Sequence, residues 1–169
     1  TYNGPGIYMD MPVGLDIDSL GNAYVTGRSS QQDGHLECTT LKYNSQGRQQ
    51  WVQTYIGPGD SIDTPTAIKV DLQGNVLITG GSYGMGTKYD CMTLKYNTHG
   101  VQQWVSRYCS PADSQDYGRD LVLDEAGNIY ICGMTEGWGN TGFQGGRYLV
   151  LKYDASGRQE WVQRYEGPV

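Results

Sequence analysis

Leu15-Asp16-Ile17-Asp18-Ser19-Leu20-Gly21-Asn22-Ala23-Tyr24-Val25-Thr26-Gly27 decides the fold, because the chain writes it three times. It returns as Ile68-Lys69-Val70-Asp71-Leu72-Gln73-Gly74-Asn75-Val76-Leu77-Ile78-Thr79-Gly80. It returns again as Leu121-Val122-Leu123-Asp124-Glu125-Ala126-Gly127-Asn128-Ile129-Tyr130-Ile131-Cys132-Gly133. The turn glycines Gly21, Gly74 and Gly127 lie 53 residues apart both times, 74 − 21 and 127 − 74. A fixed period of this size marks a repeat architecture. What all three copies share reads as scaffold, and what one copy has alone is where a specific activity would sit.

Within the second copy, Pro65 to Asp71, Val76 to Gly80, Tyr89 to Asn97 and Val101 to Tyr108 read as strands rich in β-branched and aromatic residues. Asp71-Leu72-Gln73-Gly74 and Asn97-Thr98-His99-Gly100 join them in pairs. Asp or Asn opening a turn, with Gly closing it in the left-handed region, is a hairpin signal. The other copies repeat the spelling at Asp18…Gly21, Asn44…Gly47, Asp124…Gly127 and Asp154…Gly157. Each copy is therefore expected to be four antiparallel strands.

The third strand alternates Thr39, Leu41, Tyr43 against Cys38, Thr40, Lys42, and neither side is strongly polar. A sheet half-covered on both faces is what a stacked repeat needs. Trp51, Trp104 and Trp161 recur in the fourth strand, with Tyr55, Tyr108 and Tyr165 four residues on. These six aromatics are read as inter-blade packing. Four-stranded sheets at this period predict an all-β protein built of β-propeller blades.

Bulk composition narrows the function classes. The 169 residues carry 18% charged side chains and a net charge of −6, which does not attract nucleic acid or anionic lipid. No apolar run approaches the roughly 20 residues that cross a bilayer. The chain starts at Thr1 without Met, which reads as a mature product or a piece of a longer chain. None of Cys38, Cys91, Cys109 and Cys132 forms a C-x-x-C pair, so a zinc site has little support. Their repeat positions predict small buried thiols, with disulfides left open for an oxidising compartment.

The set Asp-x-x-Gly-Asn-x-Tyr-Val-Thr-Gly, Leu-Lys-Tyr-Asn-x-x-Gly-x-x-x-Trp and Tyr-x-Gly-Pro resembles the SBBP class of β-propeller repeat, over essentially the whole chain. The resemblance implies a secreted or surface protein of bacterial or archaeal type, and it carries over no catalytic residue. Gly-Asn-x-Tyr alone is also similar to NHL repeats, and Gly-x-x-x-Trp alone to repeats of quinone-cofactor dehydrogenases. Leu77, where the other copies have Tyr, and Cys109-Ser110-Pro111, where Gly57-Pro58 and Gly167-Pro168 stand elsewhere, depart from the pattern.

A single propeller segment is expected over residues 1–169, with blades at about 7–56, 60–109 and 113–166. Propellers need about 4–8 blades to close. Two completions follow: a homodimer making a six-bladed ring, or further blades of a longer chain.

Candidate functional residues are few. His99 lies in a turn, the role of His35 is open, and no G-x-S-x-G, H-E-x-x-H or P-loop occurs. Asp10, Asp63 and Asp116 are equivalent and precede the first strand, with Asp60 and Asp113 beside two of them. Each carboxylate is expected to fix a loop through backbone N–H groups, and a weaker reading has the ring of acids hold Ca²⁺. The most individual segment is the loop over residues 134–147. It is four residues longer than its counterparts, since Lys95 to Lys152 is 57 rather than 53, and it carries Trp138 and the only Phe, Phe143, beside Asn140 and Gln144. Those four are the candidate ligand-binding residues, against a bland reading in which Trp138 plugs its own blade edge. The expected function is a non-catalytic extracellular scaffold that binds a protein or glycan ligand and needs no cofactor. The alternatives are an enzyme working at the axial face, either a quinone-cofactor oxidoreductase or a polysaccharide lyase, and a structural spacer of an adhesin or filament.

Overall fold

Six turns spelled Asp/Asn-x-x-Gly fix where the chain reverses, and the structure, a computed structural model, closes each of them. Gly74 donates its N–H to the Asp71 carbonyl at 2.9 Å with φ at 79°, a value that favours glycine. The Asp side chain explains the rest of the spelling. Asp18 accepts the N–H groups of Leu20 and Asn22 on Oδ1, and the Asn22 amide and Tyr24 hydroxyl on Oδ2. Asp124 repeats this set with Ala126, Asn128 and Tyr130. Where Leu77 removes the hydroxyl, Asp71 pairs instead with Lys95 at 3.2 Å.

The structure describes residues 2, 4–6, 9–59, 61–111, 115–139, 142–165 and 167, with backbone alone for 136–139 and 142–145. Strands β1 (Asp10–Ile17), β2 (Ala23–Ser30), β3 (Leu36–Tyr43) and β4 (Gln49–Tyr55) form the first sheet. The second holds β5 (Asp63–Val70), β6 (Val76–Tyr83), β7 (Tyr89–Tyr96) and β8 (Gln102–Tyr108). The third holds β9 (Gln115–Leu123), β10 (Ile129–Gly139), β11 (Gly142–Tyr153) and β12 (Gln159–Tyr165). Every sheet is an antiparallel meander in chain order, as the repeat predicted. Each first strand carries a bulge, as between Pro12 and Gly14, and the second strand answers with glycine. A Cβ on Gly27 would fall inside contact distance of the Met11 carbonyl.

The core lies between sheets, not within one. Tyr24, Cys38 and Tyr55 of blade 1 pack on Ile68, Val76, Ile78, Met92, Leu94 and Tyr96 of blade 2. Leu77, Cys91 and Tyr108 of blade 2 pack on Leu121, Ile129, Ile131, Leu149, Leu151 and Tyr153 of blade 3. Each fully buried side chain of this kind contributes roughly 1.5–3 kcal/mol. Every blade thus has a receiving face towards the blade before it and a delivering face towards the blade after it. Polar ties cross both seams. Asp16 accepts the Val70 N–H at 2.8 Å, and the Thr66 hydroxyl donates to the Gly118 carbonyl at 2.7 Å.

The stack stops at both ends. Leu15 on the receiving face of blade 1 is 65% exposed, while its equivalents Ile68 and Leu121 are 4% and 1% exposed. Ile17 is likewise exposed. On the delivering face of blade 3, Tyr148, Trp161 and Tyr165 lie open. Of the six repeated aromatics read as inter-blade packing, Trp51, Tyr55, Trp104 and Tyr108 lie at the seams between these sheets, while Trp161 and Tyr165 lie on the open face of blade 3. The expectation of buried thiols holds for Cys38 and Cys91. It is corrected for Cys132, which meets that same open face, and for Cys109, which lies exposed in the linker. All four are free thiols.

Candidate functional site

The three equivalent aspartates each fasten the segment that enters their own blade, and in blades 2 and 3 that segment comes from the preceding blade. Asp63 in β5 accepts the N–H of Gly57, which follows β4, at 2.5 Å. Asp116 in β9 accepts the N–H of Ser110, which follows β8, at 2.6 Å. Asp10 in β1 accepts the Gly4 N–H at 2.8 Å and the Ser29 hydroxyl at 2.6 Å. Asp63 and Asp116 are buried. Burial pushes the Asp116 carboxyl above the usual aspartate range, and the Ser110 N–H opposes part of that rise. Each aspartate serves its own blade. Among the described residues, no three His, Cys, Asp or Glu side chains gather as a metal site. Asp60 and Asp113 lie outside the described residues.

The repeated aromatics span the seams where a following blade exists. Trp51 sits between Tyr24 of its own blade and Tyr96 of the next, with ring centroids at 6.0 and 6.2 Å. Its indole N–H donates to the Thr98 carbonyl at 3.1 Å. Trp104 lies against Gly157 of blade 3 in the same way. Tyr55 receives a hydrogen bond from Arg107 Nη1 at 3.1 Å. Arg107 also pairs with Asp90 at 2.8 Å and donates to the hydroxyl and carbonyl of Ser82. The sequence reading did not single out Arg107, because Thr54 stands at its place in blade 1. Tyr55 and Tyr108 are each 8% exposed against 61% for Tyr165, whose ring lies 6.2 Å from that of Tyr148 between centroids.

The segment read as a loop over 134–147 is mostly strand. β10 runs to Gly139 and β11 starts at Gly142, so blade 3 carries an extended hairpin where blades 1 and 2 reverse after Ser30 and Tyr83. Its backbone register pairs Thr135 with Arg147, Glu136 with Gly146 and Trp138 with Phe143, with a bulge between Glu136 and Trp138. Glycines and amides made the segment look like a loop, yet the ladder simply continues the pairing that starts at Ile129. Of the candidate binding residues, Trp138, Phe143 and Gln144 are placed by backbone alone, and Asn140 lies outside the described residues.

Hollows among the described residues include two away from this hairpin. One, about 240 Å³, opens on the receiving face of blade 1 and is lined by Tyr2, Pro12, Val25, Thr39, Leu41 and Tyr43. The other, about 410 Å³, lies between the turns of blades 2 and 3, where Asp71, Asp124 and Glu125 face Lys95. The Asn128 amide holds the Asp124 carboxyl below the usual range. The histidines join neither hollow: His99 contacts the Thr98 hydroxyl in its turn, and His35 lies 3.7 Å from Asp33.

Residues 106–138 match the family model of SBBP, described as a beta-propeller repeat, which agrees with the motif resemblance. The matched stretch runs from β8 across the Asp116 latch into β10, and so crosses the seam between blades 2 and 3. No curated protein sequence matches the chain. Among solved structures, the chain is similar to a fucose lectin from Kordia zhangzhouensis in complex with methyl-fucoside. The two are 16% identical with a TM-score of 0.50, and the likeness covers 91% of this chain and 99% of that one. At that identity the likeness is one of fold, and it agrees with propeller-like blades.

Proposed function

We propose that the chain is a non-catalytic β-propeller segment that works outside the cell, holding a carbohydrate or protein ligand against the extended hairpin of blade 3. The observation that carries this reading is the departure of one blade from its siblings. Only blade 3 prolongs its central strands, and the prolongation sets Trp138 opposite Phe143 in the ladder. Aromatic rings beside Asn140 and Gln144 are the residue types that bind a sugar, rings for its apolar face and amides for its hydroxyls. The fold likeness to a fucose lectin supports the reading and makes fucose-bearing glycans the first ligands to try. The scaffold is complete when its two open flanks are covered, by a second copy or by further blades of a longer chain. No cofactor is required. The aspartate latches are already engaged by backbone N–H groups, so Ca²⁺ is expected to leave the melting temperature unchanged.

A glycan array followed by calorimetry on the best ligand tests the site. Trp138→Ala and Phe143→Ala are each expected to weaken binding by about 10-fold or more, the loss of one aromatic contact. A ligand held equally well by both variants overturns the assignment of the hairpin.

A further inference from the structure

The two open flanks differ from the buried faces they otherwise repeat, and they differ in opposite directions. On the delivering side, Cys38 and Cys91 are 0% exposed inside the two internal seams, while the third blade puts Tyr148 at that position, 71% exposed. Beside it, Val150 replaces Thr40 and Thr93, and Cys132 replaces Thr26 and Thr79. The last delivering face is therefore bulkier at one point and more apolar. On the receiving side, Thr39 stands where blades 2 and 3 have Met92 and Leu149. Val25 stands for Ile78 and Ile131, and Ala23 for Val76 and Ile129. The first receiving face is therefore smaller at three positions, and the cavity of about 240 Å³ opens there.

The internal seams show which positions meet. Cys38 lies among Met92, Leu94 and Tyr96, within electrostatic reach of Asp63. Cys91 stands in the same relation to Asp116, Leu149 and Tyr153. The blade 1 equivalents of those neighbours are Asp10, Thr39, Leu41 and Tyr43, and all four line the cavity.

We propose that this cavity is the seat for Tyr148 of a second copy of the chain, so that two copies cover each other's flanks at two identical seams. The proposal rests on the reading of the open flanks as interfaces and names their occupant. Continuity with the two seams inside the chain sets the geometry: blade 3 of one copy delivers to blade 1 of the other as blade 1 delivers to blade 2. Trp161 then reaches the turn at Asn44–Gly47, as Trp51 reaches Thr98. Tyr2, the repeat equivalent of Tyr55, lines the cavity as Tyr55 packs on blade 2, and docking exchanges it for Tyr165 of the second copy while Tyr148 fills the hollow. Asp120, standing where Gly14 and Ala67 do, comes to face the backbone of β1, the kind of partner Asp16 already has at Val70. Two reciprocal seams close the assembly, whereas a single head-to-tail seam that failed to close would give filaments.

The test is molar mass by light scattering at micromolar concentration, with folding checked by circular dichroism. The wild-type chain is expected at twice 18.7 kDa. Tyr148→Asp, at a side chain open to solvent in the single chain, is expected to give monomer. Thr39→Met fills the seat and is expected to weaken association by about 10- to 100-fold per seam, the effect of overpacking. Thr39→Met combined with Tyr148→Cys restores the pairing of the internal seams and is expected to restore the dimer. A wild-type chain that stays monomeric overturns both this proposal and the reading of the flanks as surfaces between copies. A ladder of open oligomers overturns the closed pair. A dimer indifferent to Tyr148→Asp and to Thr39→Met leaves the flanks as interfaces but overturns the Tyr148 seat.

Discussion

Trp51→Ala and Trp161→Ala remove the same residue from the same strand position, and the structure assigns them different costs. Trp51 is wedged between Tyr24 and Tyr96 and donates its indole N–H to Thr98. Truncating a large aromatic in a packed interior costs about 3–5 kcal/mol. Trp51 is half-buried, which places it near the lower end, about 3 kcal/mol. The Thr98 carbonyl keeps the Lys42 ammonium at 3.2 Å, so no acceptor is left bare. Trp161 is 38% exposed and meets Tyr130 of its own sheet, with no following blade to pack on. Its loss should cost about 1 kcal/mol, the value of one such ring pair. For a chain of this length, 1 kcal/mol moves Tm by about 2–4 °C, so the expected shifts are about 6–12 °C and 2–4 °C. The assay is thermal and urea unfolding followed by far-UV circular dichroism, in a Tyr148→Asp background that keeps copies apart. Equal losses for the two variants would refute the claim that stability resides in the seams between sheets.

Arg107→Ala leaves the buried Asp90 carboxylate without its cation and frees the Tyr55 hydroxyl, so it should destabilise by about 3 kcal/mol in urea unfolding; a change below 1 kcal/mol would show that the network is incidental. Burial pushes the thiols of Cys38 and Cys91 up to about 12, so at pH 8 they stay protonated and shielded. A thiol reagent should then label Cys109 and Cys132 quickly in the monomeric variant, and Cys109 alone once copies associate; rapid native labelling of all four would contradict the burial. Asp116 has a folded pKa raised above its unfolded value of 3.8 by burial. The folded state therefore holds the proton more tightly, and this contribution is fully present below 3.8 and lost as pH rises through the folded value. Asp116→Asn, which keeps an acceptor for Ser110, should abolish that decline in urea midpoints taken across the acid range; parallel pH profiles for the two proteins would count against it.

The hairpins were legible because local chemistry alone fixes them. Six turns share one spelling, and each Asp or Asn side chain ties its own turn within a few residues. The seams were legible from period and alternation. What escaped the sequence depends on position in the stack. Trp161 and Cys132 carry the same repeat label as Trp51 and Thr26 but meet no following blade. The strand character of residues 134–147 was hidden by glycines whose pairing continues a ladder begun at Ile129. Tyr148 left a signal, since it interrupts a column of cysteines, and the small Thr39 left its counterpart; only the geometry of a buried seam relates the two.

Blade 2 alone is walled on both sides, and its β6 is buried along nearly its whole length. It has no stable existence apart from its neighbours, because removing either one would strip an entire apolar wall. Loosening must therefore begin at the outer sheets and work inwards, and the centre gives way last. In a three-sheet stack with exposed ends, each interface between neighbours adds its own share of stability, so covering an end would add a further share.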